Sequence, residues 1–220
     1  MKTSKSLIAS AACALTVLAA PLASAASAVI LNEKFNNVGT LSDWVVTNQS
    51  TPVGLSWFQG NPGVFGAQAG PAASYIAANY LSAGQGGGTI DNWLITPLLS
   101  LSGATELTFF TRAPALPGFN DMLELRFSAG GGSGTGGFST LLATIGGPNA
   151  YPDHWQQFTA NLNFSGDGRF AFRYAGDAAV ANYIGIDTVR VMTAVPEPTG
   201  YLMLGIGFAA LALLLPKSRS

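Results

Sequence analysis

Between residues 26 and 195, short runs of alternating apolar and polar side chains recur between clusters of Gly, Pro, Asn and Asp. Leu123, Leu125 and Phe127 fall on one side of an extended segment and Glu124, Arg126 and Ser128 on the other, the period-two pattern of a strand with one buried face. Phe170, Phe172 and Tyr174 repeat it against Arg169 and Arg173. Ten strands are predicted in this way, over residues 29–35, 44–48, 74–80, 92–96, 106–112, 122–128, 141–145, 155–162, 169–174 and 183–192. No segment of this region keeps an apolar i, i+3, i+4, i+7 stripe through three turns, which argues against long helices. Ten such strands bury their apolar faces by packing in two layers, so the expected fold class is all-β, an antiparallel β-sandwich over residues 26–194. The 27 glycines and 12 prolines of the 220-residue chain agree, because both weaken helix interiors and serve turns.

The two ends break this pattern. Lys2 and Lys5 precede an uncharged apolar stretch over 7–20, and Ala23-Ser24-Ala25 supplies small residues at a cleavage position. Together they have the layout of a secretory signal peptide over 1–25, handled by a Sec-type export machinery, with a cut after Ala28 nearly as plausible. The sole cysteine, Cys13, lies inside this segment, so the exported chain has no disulfide and no thiol for catalysis or metal binding. Acylation at Cys13 would leave only residues 7–12 as the apolar region, shorter than such signals require. At the other end Val195-Pro196-Glu197-Pro198 is followed by an uncharged run over 201–215 and the basic tail Lys217 and Arg219. Residues 199–216, 18 in all, are at the short limit of a membrane-spanning helix, and the tail places the preceding domain outside.

A Pro-Glu-Pro triplet, one apolar segment and a small basic tail at the extreme C-terminus resemble the PEP-CTERM sorting signal of Gram-negative bacteria, over residues 195–220. The resemblance implies recognition and cutting by an exosortase. Pro196 and Pro198 keep the peptide extended, since each fixes its own φ and disfavours α at the residue before it. The domain between the ends is similar to another family. Its opening Leu31-Asn32-Glu33-Lys34-Phe35, the central Asp91-Asn92-Trp93-Leu94-Ile95-Thr96-Pro97, the Asp121-Met122-Leu123-Glu124-Leu125 strand and the closing Ile186-Asp187-Thr188-Val189 resemble the choice-of-anchor J domain. That family is similar to the cleaved-adhesin and MAM domains, which implies a jelly-roll sandwich on a surface or in a matrix, usually without known activity.

Charge and candidate chemistry narrow the function. Residues 26–195 carry six basic and ten acidic side chains, a balance with no basic patch for nucleic acid. Gly132, Gly134 and Gly137 form a Gly-x-Gly-x-x-Gly after a strand, but the following 138–145 is rich in Thr and bulky apolar residues, so a hairpin loop is expected and not a dinucleotide site. His154 is the only histidine, which excludes a histidine cluster for zinc, and no nucleophile elbow accompanies it. Asp91, Asp121, Glu124 and Asp153 could in principle supply a glycosidase pair, whose spacing the sequence does not reveal. Trp57 and Tyr151, beside Gly- and Pro-containing loops, are the candidate sugar-stacking aromatics.

Two acids are in phase with apolar faces: Glu33 with Val29, Leu31 and Phe35, and Asp187 with Val189 and Val191. A buried carboxylate needs an Arg, backbone N–H donors or a metal, unless a bulge turns it outward. Calcium suits carboxylates and carbonyls. In related jelly rolls the first and last strands often hold a structural calcium, which the resemblance places at Glu33 and Asp187. The expected function is a non-enzymatic exported surface or extracellular-matrix protein, held briefly in the inner membrane and processed by an exosortase. A carbohydrate-binding adhesin engaging exopolysaccharide is the alternative, and a glycoside hydrolase the third.

Overall fold

The computed structural model describes residues 26–85, 87–195 and Gly205. The expected signal peptide with Ala23 and Ala25, the Pro196-Glu197-Pro198 triplet and the apolar run other than Gly205 lie outside the described residues. Among the described residues no helix is long and apolar enough to cross a membrane.

Ten strands follow in order: β1 (Ser27–Glu33), β2 (Val45–Asn48), β3 (Phe58–Gln59), β4 (Ile76–Asn79), β5 (Thr89–Ile95), β6 (Leu99–Arg112), β7 (Met122–Ala129), β8 (Thr140–Gly146), β9 (Gln156–Asp177) and β10 (Tyr183–Ala194). All pairings are antiparallel. Two expected strands, 155–162 and 169–174, are one continuous strand, β9. The polar run between them keeps its ladder because Leu99 to Gly103 of β6 pair with Gly168 to Phe164.

The long strands turn one hydrogen-bonded sheet into a sandwich. β5 and then β6 run along one edge of β9, while β7 takes the other edge, with β8 outside it. Along β10 one edge belongs to β6 and the other first to β4 and then to β1. One layer therefore holds β2, β5, the second half of β9, β7 and β8; the other holds the first half of β9, β6, β10, β1, β4 and β3. Gly103 (φ +81°) and Gly166 (φ +123°) lie where the paired β6 and β9 bend between layers, backbone conformations that a Cβ disfavours. Across the core, Phe109 of β6 meets Phe172 of β9 edge to face, with ring centroids 4.9 Å apart. Both rings are fully buried, each contributing about 1.5–3 kcal/mol of apolar transfer energy.

Both ends of the domain leave at one pole, where the Val195 N–H donates to the Ala26 carbonyl at 2.7 Å. The loops 113–121, 146–155 and 178–182 gather at the other pole, beside the start of β10. The 12 residues of β10 separate the poles by roughly 40 Å at about 3.3 Å per residue.

Candidate binding cleft

The pole opposite Ala26 and Val195 carries a cleft of about 810 Å³. One wall is the 113–119 loop, with exposed Leu116 and Phe119; the other is the end of β8 and the segment to Tyr151 and Pro152. Backbone bonds hold both walls: Ala113 N–H to the Pro152 carbonyl (2.8 Å), Asn120 N–H to Val180 (2.7 Å) and Gly147 N–H to Asp121 (3.0 Å). Gly146 (φ +77°) is required here, because a Cβ would lie 2.0 Å from the Asp121 carbonyl oxygen and 2.7 Å from the Tyr151 ring.

Asp121 lies in this cleft and is only 2% exposed. Its Oδ1 accepts the Tyr174 hydroxyl (2.5 Å) and the Asn182 N–H (2.9 Å). Burial pushes its pKa up, against the pull of those two donors. Burial and the Asp121 charge push the Tyr174 phenol up in turn. Tyr151 is half-buried, and its hydroxyl donates to Thr111 Oγ1 (2.6 Å), which donates to the Gly185 carbonyl (2.7 Å). Of the two expected aromatics, Tyr151 thus lines the cleft. Trp57 does not: it is 6% exposed and packed in the main core. The reason is a strap formed by residues 50–57, in which Gly54 and Leu55 donate to the carbonyls of Ser82 and Leu81 and turn the ring inward. Its Nε1 has no partner among the described residues.

Of the other candidate carboxylates, Asp153 lines the same cleft as Asp121, and the remaining two meet at one guanidinium. Asp91 and Glu124 share Arg173, at 2.6 and 3.1 Å, and Glu124 also binds Arg126 at 2.7 Å. Burial would raise Glu124, but Arg126 and Arg173 hold it below the ordinary carboxylate range, the opposite of what a general acid needs. Arg173 also lies over the Trp93 ring at 5.2 Å, and Trp93 Nε1 donates to Asp91 (2.7 Å). The Gly132-Gly134-Gly137 segment joins β7 to β8 and brings Phe138 onto Trp93. His154 is exposed and bonded only to the neighbouring Asp153 (2.8 Å).

The two in-phase acids sit on adjacent strands, Glu33 opposite Val189, two residues past Asp187. Asp187 is fully buried. Its Oδ2 accepts the N–H groups of Gln68 (2.9 Å) and Ala69 (3.2 Å), and its Oδ1 accepts the Thr188 N–H (2.6 Å). A bulge is present at this point, with Thr188 at φ +51°, yet the acid stays inward on its backbone donors. Glu33 Oε1 accepts the Phe35 N–H (2.6 Å). Arg190 is exposed and joins neither acid. Gln68 Oε1, 3.0 Å from Thr188 Oγ1, adds an oxygen that no sequence pattern signalled.

The described residues define an antiparallel β-sandwich with an open cleft at one pole. Within that class the chain is similar to solved cleaved adhesin domains of Lys-gingipain from Porphyromonas gingivalis W83. It matches the K1 domain at 25% identity and TM-score 0.59, covering 77% of this chain and 99% of that one. The K3 domain gives 24% and 0.59, covering 77% of this chain and all of that one. The K2 domain of Lys-gingipain gives 19% and 0.52, covering 73% and 96%. No protein-family model matches the chain, and neither does any curated protein sequence.

Proposed function

We propose that this chain is an exported, non-catalytic surface adhesin of cleaved-adhesin-like fold that binds carbohydrate in its polar cleft. The observation that carries the reading is the placement of that cleft, at the pole opposite the domain's ends at Ala26 and Val195. A domain held to a cell or matrix through either end presents such a cleft outward. Its lining mixes exposed Phe119 and half-buried Tyr151 with Asn149, Gln156 and Asn182, the pairing of apolar faces and amide donors that a sugar ring uses. The 195–220 segment supports processing by an exosortase after export, with a transient stay in the inner membrane. Two measurements test the proposal. Mass spectrometry of the protein recovered outside its host is expected to find residues 1–25 and 201–220 gone; intact ends in most of the pool would overturn the processing. A glycan array probed with the full chain in mild detergent is expected to show binding that Phe119→Ala weakens; no glycan retained, or no effect of that substitution, would overturn the cleft.

Calcium belongs to the same proposal. Glu33, Asp187 and Gln68 offer only hard oxygen donors, and Asp187 is a buried charge with no basic partner among the described residues, a donor set that fits this cation. No cluster of three or more His, Cys, Asp or Glu ligands occurs among the described residues, so backbone carbonyls would complete the shell. Bound there, the ion would tie β1 to β10.

A further inference from the structure

We infer that the cleft selects a ligand carrying a primary ammonium group, of the amino-sugar class, through the buried carboxylate of Asp121. The inference rests on the carbohydrate-binding reading above and adds the chemistry of the ligand.

The argument is one of unmet valence. Both donors to Asp121, the Tyr174 hydroxyl and the Asn182 N–H, land on Oδ1. Oδ2 takes no donor from the described residues, yet it is not among the side-chain atoms sealed away without a partner. In a residue that lines the cleft, that oxygen opens onto the cleft. Asp121 forms no ion pair among the described residues. The one other charged lining residue is Asp153, whose carboxylate is mostly exposed at the rim beside His154. Arg112, the cation that approaches this pole, is committed elsewhere: its guanidinium donates to the Ala113 and Asp153 carbonyls and lies 4.5 Å from the Phe65 ring centroid. The cleft lining is therefore acidic, with no cation among its described residues.

A buried charge left without a counter-charge is costly, and a cation that also donates hydrogen bonds removes the cost. The carboxylate cannot turn away, because Tyr174 is itself fully buried and Gly147 holds the Asp121 carbonyl. The surrounding lining decides what carries the cation. Asn149, Gln156 and Thr144 offer donors and acceptors to hydroxyls, and Phe119 and Tyr151 offer ring faces. An ammonium on a polyhydroxylated ring uses all three, whereas a lysine side chain brings no hydroxyls.

Isothermal titration of the full chain with glucosamine hexamer and with N-acetylglucosamine hexamer tests this, because acetylation replaces the ammonium with a neutral amide and leaves the rings and their hydroxyls in place. The amino form is expected to bind about ten- to hundredfold more tightly, the span of a hydrogen bond to a charged group. Asp121→Asn keeps the shape and the acceptor for Tyr174, and is expected to abolish that preference, bringing the two hexamers to equal affinity. If that variant does not fold, the wild-type preference alone decides. Equal affinity for the two hexamers would overturn the inference and leave the carbohydrate reading standing. Failure of every glycan to bind would overturn both. Tighter binding of trilysine than of the amino sugar would reassign the cleft to protein amines.

Discussion

Replacing Asp187 with Asn changes one atom and separates two roles of this residue. The carboxylate has acceptor oxygens on both sides, Oδ2 for Gln68 and Ala69 and Oδ1 for Thr188. An amide has one oxygen, so whichever way it turns, one set of N–H donors faces an NH₂ group. The cheaper rotamer keeps its oxygen on Gln68 and Ala69 and strands only the half-buried Thr188 N–H, at a cost of about 1–3 kcal/mol. For the 170 residues of 26–195, at ~2–4 °C per kcal/mol, Tm falls by about 2–12 °C. This loss is independent of metal and is expected in the presence of chelator. The calcium proposal adds a second effect: at about 100 Kd the ion stabilises the wild type by ~2.7 kcal/mol, a further rise of about 5–11 °C. Asp187→Asn is expected to lose most of that rise. Melting curves of both proteins, each in chelator and in millimolar calcium, read all four states. A variant within about 1 °C of wild type in chelator refutes the donor argument. A wild type whose Tm is the same in both buffers refutes the metal.

Two further effects follow from the core and the ion-pair network. Gly60→Ala would place a Cβ 2.3 Å from the Tyr75 ring, which is fully buried and held by its hydroxyl, a donor to the Asn61 carbonyl and an acceptor from the Tyr183 hydroxyl. The ring cannot step aside, so the substitution is expected to cost about 1–3 kcal/mol or more, read as a lower urea midpoint with unchanged slope; an unchanged midpoint would show that the ring yields. Glu124 has a folded-state pKa below its unfolded value, its burial being outweighed by Arg126 and Arg173. Its contribution to stability is therefore present above the ordinary glutamate range and disappears as pH falls through the folded value. Glu124→Gln should flatten that acid limb of the stability curve, and an identical pH profile in the two proteins would refute it. Asp121 works in the opposite sense, because its raised folded pKa makes it lose stability as pH rises past its unfolded value, so the two must be measured in separate variants.

Much of the layout was legible in the chain because burial on one face imposes a period of two. Residues 122–128 and 141–145 were placed within a residue or two of β7 and β8, and the alternation of Phe170, Phe172 and Tyr174 marks the buried face of β9. The polar interval 163–168 looks like a turn, since nothing local distinguishes a turn from a strand bending between layers; only the ladder to Leu99–Arg112 keeps it extended. The phase of Asp187 aligns it with the apolar face, but two of its donors, the N–H groups of Gln68 and Ala69, lie more than a hundred residues away. Trp57 was expected at a surface because of its loop, and the strap to Ser82 and Leu81 put it in the core. Periodicity is a property of neighbouring residues and survives in one dimension. The cleft joins Asp121 to Tyr151, Tyr174 and Asn182 across four segments. Their meeting is set by strand pairing and by which half of β9 lies in which layer, information that exists only once the sheet has closed on itself.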